Sequence, residues 1–152
     1  MLRFVTEHSN CFERSLRVGH ITGSAWVVDT SRSHALLTHH RKLNKWLQPG
    51  GHADGDPDIL RVALREAREE SGLECIRAVS EAIFDIDIHV IPARGAEPEH
   101  LHYDVRFLLE ASRESQLVPS HESHSLAWSP LPEIAELNPQ ESILRMVAKT
   151  RH

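Results

Sequence analysis

The sequence predicts an α/β fold, a mixed β-sheet covered by helices, and three stretches carry that prediction. Residues 20–30, HITGSAWVVDT, are rich in β-branched and aromatic side chains, the composition of a strand on a pleated, half-buried surface. Residues 57–71 place Leu60, Ala63, Leu64 and Ala67 at spacings of three and four, the apolar stripe of an amphipathic helix. Residues 84–91 alternate, with Phe84, Ile86, Ile88 and Val90 on one side and Asp85, Asp87 and His89 on the other, the period of a half-buried strand. Strands mixed with a few helices, several strands being joined as hairpins, point to a mixed sheet with helical cover.

The remaining elements follow in chain order. Residues 1–17 are expected to form a helical extension with Phe4, Cys11, Phe12 and Leu16 inward. His34–His39 is a second strand, joined to the first as a hairpin through Thr30–Ser33. Lys45–Asp54 is interrupted by Pro49, Gly50 and Gly51 and cannot be a regular helix. The long helix is expected to be capped by Asp56, with Pro57 at its first position, Asp58 complementing its dipole and Gly72 ending it in the left-handed conformation. The apolar side of 84–91 is expected to face the core. Leu101–Leu109 is a further strand, residues 112–125 a polar loop and Leu126–Trp128 a short strand. Pro132 starts a short helical piece. Pro139 starts a last helix with Ile143, Leu144 and Val147 on its inner face. No internal repeat or low-complexity segment divides residues 1–152, which read as one domain.

Composition limits the function classes. With 152 residues, 40% of them hydrophobic and 26% charged, the chain suits one soluble domain with a core that needs no staple. A net charge of -5 disfavours nucleic-acid binding, which calls for a basic face. It leaves a phosphate substrate open, because a bound divalent cation reverses the local sign. Two cysteines, Cys11 and Cys75, suit a reducing cytoplasm better than a disulfide framework. The first residues carry charges throughout, unlike a signal peptide, and no apolar run has membrane length. A cytoplasmic protein without a membrane partner is expected.

The chemistry concentrates at the end of the long helix. Glu66 stands three residues before Glu69 and four before Glu70, so the three carboxylates project to one side. Like charges at that spacing destabilise an isolated helix unless solvent, nearby arginines or a hard cation offset them. Taken alone, REAREE is the pattern of a solvated helix face laced by pairs such as Arg65–Glu69. The surrounding string, GGHADGDPDILRVALREAREESGL, changes that reading. It resembles the Nudix box, a glycine, five residues, a glutamate, seven residues, then Arg-Glu-aliphatic-x-Glu-Glu-x-Gly-aliphatic. Gly51, Arg65, Glu66, Ala67, Glu69, Glu70, Gly72 and Leu73 match in register, over a box of 23 of the 152 residues. Pro57 stands where the pattern has its first glutamate, and Asp56 or Asp58 flanks the gap.

The resemblance implies an α/β/α sandwich around a mixed sheet. It also implies hydrolysis of a nucleoside diphosphate linked to another moiety, with Mg2+ or Mn2+ as the metal and a homodimer as the family's common assembly. On the same footing, Glu66, Glu69, Glu70 and the Gly51 carbonyl are the expected metal ligands. Arg65, Glu66 and Glu69 are the expected catalytic machinery. Independently of any family, cutting a diphosphate needs charge neutralised on non-bridging oxygens and a water activated, which metals held by carboxylates supply.

Outside the box, Glu122 in PSHESHSLAW is the first candidate for a metal-binding or base carboxylate, since some relatives place one ahead of a Trp-bearing strand; otherwise it is an exposed loop acid. His52 and His102 are candidates for substrate phosphates, as is Arg41 in the basic run of His39, His40, Arg41, Lys42 and Lys45. The bland alternatives are surface histidines and a solvated loop. His100 and His102 alternate on one strand and point the same way. With His52 and His89 they leave a metalloprotein reading open, but HxH is short and no cysteine lies nearby. Trp46 suits either the core or a stacked base. The family's downstream substrate flags are absent: Ile88 stands where ADP-ribose enzymes carry proline, and Tyr103 lies too far on for the diadenosine polyphosphate pattern. A nucleoside triphosphate or nucleotide derivative is the default substrate. Rival readings are a Nudix-fold ligand-binding or sensor module, motivated by Pro57, and an isopentenyl-diphosphate isomerase-like enzyme, which would want a better placed cysteine. An RNA-decapping role sits poorly with the net charge.

Overall fold

The structure is a computed structural model and describes residues 1–150. Eight strands make one mixed sheet: β1 (Gly19–Asp29), β2 (His34–His40), β3 (Lys45–Leu47), β4 (Gly50–His52), β5 (Arg77–Ala78), β6 (Asp85–Ile91), β7 (His100–Ala111) and β8 (Ser123–Pro130). The helices are α1 (Leu2–Glu7), α2 (Ile59–Ser71), α3 (Ile134–Leu137) and α4 (Glu141–Thr150), with a 3-10 turn at Leu131–Glu133.

The sheet is organised around β1, which runs parallel to β7 along its whole length, from Gly19↔Leu101 to Asp29↔Ala111. On its other edge β1 is shared. Val28 pairs with Ala35 of β2, while Thr22, Gly23 and Ser24 pair with His52, Gly51 and Gly50 of β4. The expected hairpin of 20–30 with 34–39 is therefore real but nearly unpaired. Strand β2 pairs instead with β8 along its length and with β3 at its end. The sheet splits between these two sets, and the Pro49–Gly51 corner lies in the split, with the Pro49 carbonyl accepting from the Ala25 amide at 2.9 Å.

Two cores confirm the sandwich. On one face Ile21, Ala25, Val27, Val105, Phe107 and Leu109 meet Ile59, Val62, Ala63 and Ala67 of α2. On the other, Trp26, Val28, Ala35 and Leu37 meet Ile134, Ile143, Met146 and Val147 of α3 and α4. Helix α2 approaches β1 closely because Gly23 has no side chain; a Cβ there would stand 3.0 Å from both Ile59 and Val62.

Several expectations need correction. The N-terminal helix spans only Leu2–Glu7. Residues 9–18 continue as turns, and Phe4, Cys11, Phe12 and Leu16 pack on the α2-side core. Helix α2 is capped by Asp58, whose carboxylate accepts from the Arg61 amide at 3.0 Å. Asp56 lies outside the helix, where it accepts from the Asp58 amide and the Arg61 guanidinium. The most deeply buried residues of α2 are Ile59, Val62, Ala63, Ala67 and Ser71, with Leu60 and Leu64 at the margin. Gly72 ends the helix at φ 71 as expected. Cys11 is buried, Cys75 exposed, and both are free thiols. No helix among the described residues is long and apolar enough to cross a membrane.

The largest reversal is β6, whose acidic side faces inward. Asp85 is buried, while Ile88 is 47% exposed and Ile86 and Val90 are similarly open. The cause lies on neighbouring elements. Asp85 takes charged hydrogen bonds from Arg145 at 2.9 Å and Lys149 at 2.6 Å, with Arg106 at 3.4 Å. A buried cation on β7 and two partly exposed ones on α4 fix the facing of β6 more strongly than its own apolar residues do.

Candidate metal and catalytic site

The box folds as a strand, a corner and a helix. Gly50 and Gly51 let β4 approach α2. A Cβ on Gly51 would fall on the carboxylate of Glu66, and one on Gly50 would fall on Ser24 of β1. The Gly50 amide donates to Glu70 Oε1 at 2.9 Å. Arg65 donates from Nη2 to the His52 carbonyl and to Glu66 Oε1, both at 2.9 Å. One glutamate of the box thus holds the corner and the arginine holds its far end.

The carboxylates act on one another. Burial pushes Glu70 up to about 7 against the Gly50 hydrogen bond, with Glu66, Glu122 and Glu69 adding repulsion. Glu66 is also raised, chiefly by burial, although Arg65 opposes the shift. Glu69 is the exposed member. Such a set lowers its own energy by holding protons or a hard cation, and oxygen donors at a helix end open to solvent suit magnesium.

Glu122 joins this group, as its charge is felt by Glu66, Glu70 and His40. Its loop is fastened to β2 by the Arg41 amide, which donates to the Glu122 carbonyl at 3.0 Å, and by Arg41 Nε, which donates to the Ser123 carbonyl at 3.0 Å. Arg41 therefore positions the Glu122 loop as well as standing near it. Trp46 packs on the α4-side core and stacks on His39 at 5.0 Å.

Pro57 leaves Arg65 without the carboxylate the pattern supplies. Asp56 is committed to Arg61 and Asp58 to the helix cap, so neither replaces the missing glutamate. Asp54 lies near enough for its charge to act on Arg65, but its hydrogen bonds go to Arg14 at 2.6 Å.

His52 and His102 come together across the sheet from α2, with ring centroids 5.3 Å apart. His20, which the sequence did not single out, sits between them, 5.1 Å from His52 and 4.8 Å from His102. Burial, then neighbouring imidazoles, holds His20 down to about 4 and His102 down to about 3, so both are neutral at neutral pH. The same face carries Asp104, which accepts from Thr22 at 3.0 Å, Ser24 at 2.7 Å and Arg106 at 2.8 Å. The signal for this face is the i, i+2 spacing of His102, Asp104 and Arg106 on one strand.

A family model, the NUDIX domain, matches residues 20–148. The chain belongs to the Nudix family. A Nudix relative from Xenopus laevis, the m7GpppN-mRNA hydrolase NUDT17, is 31% identical over 101 residues, 61% of this chain and 33% of its own length. The Bos taurus protein of that name is 39% identical over 57 residues, 34% of this chain and 19% of its own length. The chain thus spans a third or less of the NUDT17 relatives it matches. The Rattus norvegicus asymmetrical bis(5'-nucleosyl)-tetraphosphatase is 25% identical over 111 residues, 73% of each chain. Among solved structures, a C. elegans Ap4A hydrolase in a binary complex superposes with a TM-score of 0.69 at 17% identity, over 86% of this chain and 94% of that one. That likeness agrees with the α/β/α fold.

The Nudix glycine at 51 offers a direct test of the site. Gly51→Ala is expected to lower kcat/KM by about 100-fold, because displacing a reacting group by about 1 Å has that effect. The urea midpoint should move little, since Glu66 can swing toward solvent. A variant with unaltered turnover would show that Glu66 has no fixed position in the reaction.

Proposed function

We propose that this domain hydrolyses a diphosphate linkage in a nucleoside diphosphate joined to another moiety, with Mg2+, or Mn2+ in its place, held by Glu66, Glu69, Glu70 and the Gly51 carbonyl. The observation that carries the reading is the packing of the glycine corner on the helix, with the Gly50 amide on Glu70, Gly51 against Glu66 and Arg65 on Glu66, beside Glu69 and Glu122, whose charges help raise the proton affinity of Glu66 and Glu70. That donor set fits a hard divalent cation, because bare carboxylates packed this way repel one another. When bound, the metal supplies charge neutralisation on phosphate oxygens and lowers the pKa of water.

The protein's own groups have separate tasks. Arg65 fixes the His52 carbonyl and one oxygen of Glu66, which keeps the corner and helix in register. Glu122 is an exposed carboxylate at the end of its loop and is suited to accept a proton from the attacking water. Glu66 and Glu69 are the other carboxylates assigned to catalysis, with Glu70 as a metal ligand. Arg41 is assigned to substrate, since it carries the permanent positive charge that suits a phosphate; His52 and His102, expected beside it, lie on the opposite face of the sheet from Glu66 and are not assigned to substrate. The relatives' names, a cap hydrolase and a tetraphosphatase, share a nucleoside polyphosphate as substrate class, and the present substrate is assigned to that class.

A second reading, a Nudix-fold module that binds such a ligand without cutting it, is favoured by Pro57 and by the commitment of Asp56 and Asp58 elsewhere. A panel separates the two. Nucleoside triphosphates, dinucleoside polyphosphates, a capped dinucleotide and nucleotide sugars are incubated with Mg2+ and the wild type or Glu69→Gln/Glu70→Gln. The hydrolase reading expects turnover of at least one compound and a loss of about 100- to 1,000-fold in the variant. Equal rates for both proteins on every compound would leave the binding module standing.

A further inference from the structure

Across the sheet from the carboxylates lies a second group of potential ligands. The pairings Asp104–Thr22 and Asp104–Asp87 define one rung of the sheet, and the rung beside it is made of histidine alone. His20 pairs with His102, and His102 with His89. His100, two residues earlier on β7, stands over the same face, with its ring 5.0 Å from that of His20 and 5.2 Å from that of His102. Gly51 points toward Glu66 on the α2 side, so His52, the next residue of its strand, points the opposite way. Its ring reaches His20 and His102. The sheet therefore separates this cluster from the glutamates.

Two features go beyond histidines packed for their bulk. His20 is 1% exposed, and neither of its ring nitrogens has a hydrogen-bond partner among the described residues. The Leu16 carbonyl is close enough to favour a proton on the ring, but does not complete the bond. His102 Nε2 is likewise buried and unpartnered among the described residues. Buried polar atoms are nearly always satisfied; here they belong to two rings whose centroids are 4.8 Å apart.

The second feature is tautomer control. His100 Nδ1 stands 2.9 Å from the Pro98 carbonyl, which can only accept, so Nδ1 carries the hydrogen and Nε2 presents its lone pair. A ring nitrogen fixed by a backbone carbonyl, leaving the other bare, is the usual support of a metal-ligating histidine. Glu97 Oε1 lies 4.0 Å from that bare Nε2. Arg14, whose charge acts on His20 and His52, is engaged by both oxygens of Asp54 at 2.6 Å.

We propose that His20, His100 and His102 form a second metal site, for a borderline transition metal of the zinc class, separate from the carboxylate site of α2. One ligand atom from each lies within 4.8 Å of the others. Closure onto zinc draws these nitrogens to about 2.0–2.1 Å from the ion, through rotation of the rings. All-imidazole donors select zinc, nickel or copper over magnesium. The ion would then give one of the two orphaned His20 nitrogens a partner. His52 and Glu97 border the fourth position. The ion would tie the start of β1 to the start of β7, beside the box but not in it.

The test uses the full chain without a histidine tag, zinc as the probe and magnesium in excess. The wild type is expected to retain one zinc per chain through gel filtration, with X-ray absorption showing nitrogen donors at about 2.0 Å. His100→Gln and His102→Gln should each weaken zinc binding by about 100-fold or more, the scale at which even supporting residues act. Glu69→Gln/Glu70→Gln should bind zinc as the wild type does, so this site stands or falls apart from the hydrolase reading. Circular dichroism checks that the variants fold; should either unfold, the wild-type absorption spectrum decides. Failure of the wild type to retain zinc, equal retention by the histidine variants, loss in the glutamate variant, or a shell of oxygen donors would each overturn the proposal.

Discussion

Glu70→Gln is expected to lower kcat by at least about 100-fold and, in the same molecule, to raise the stability of the metal-free protein at about pH 8. The two effects share one origin. Glu70 is buried against the corner and held near 7, above its ordinary 4.5. The folded chain therefore binds this proton more tightly than the unfolded chain does. Stabilisation from the protonated form is fully present below pH 4.5 and is lost as the pH rises through about 7. A shift of this size corresponds to about 3 kcal/mol lost above pH 7 in the absence of metal. Glutamine carries no charge to desolvate and its oxygen can still accept from the Gly50 amide. The difference between wild-type and variant stability, followed by urea unfolding from about pH 4 to about pH 8 without metal, should grow across that interval. Magnesium should stabilise the wild type more at the alkaline end, because it binds the folded state and competes with the proton. A flat difference curve, or a variant less stable than the wild type at every pH, would mean that the Glu70 carboxylate carries no desolvation strain.

Arg106→Met is expected to be the most destabilising single change outside the hydrophobic cores, at about 3–5 kcal/mol. The guanidinium is buried, donating to Asp104 at 2.8 Å, to the Ser142 carbonyl at 3.1 Å and to Asp85 at 3.4 Å, with Asp87 at 3.5 Å. Its removal leaves Asp104 buried with only the Thr22 and Ser24 hydroxyls. Most of the cost is that stranded charge rather than the lost pair. Arg145→Met should cost less, because its side chain is partly exposed and Lys149 still reaches Asp85 at 2.6 Å. Burial raises Asp85, but the hydrogen bonds and charges of Arg145 and Lys149 outweigh it and leave its proton affinity low. Its contribution is present above pH 3.8 and is lost as acid drives the pH through the lower folded value. Urea unfolding should show a lower midpoint for Arg106→Met with an unchanged slope. An unfolding free energy within about 0.5 kcal/mol of the wild type would show the network to be dispensable.

Much of the fold was legible because local rules and the final structure agreed. Gly72 ends α2 where a left-handed residue was required, and Pro49-Gly50-Gly51 breaks the chain where β4 turns. The helix start was misplaced by two residues because Asp56, Pro57 and Asp58 each carry a valid signal, and the bond from Asp58 to the Arg61 amide decides among them. Strand β6 misled for a deeper reason. Alternation reveals that two sides differ; the usual assumption puts the apolar side inward, and Arg106, Arg145 and Lys149 reverse it from residues at least fifteen positions away in the chain.

The sequence by itself determined the Nudix box of this protein. A register of Gly51, Arg65, Glu66, Glu69, Glu70 and Gly72 within 23 residues is local, and a helix converts spacing into geometry without help from the rest of the chain. Only the tertiary structure decided the opposite face. His20, His52, His89, His100 and His102 come from four strands, and parallel pairing of β1 with β7 spans 82 positions of sequence from His20 to His102. No spacing rule connects such residues, because strand register is chosen by the burial of whole faces, and that choice exists only once the sheet has formed.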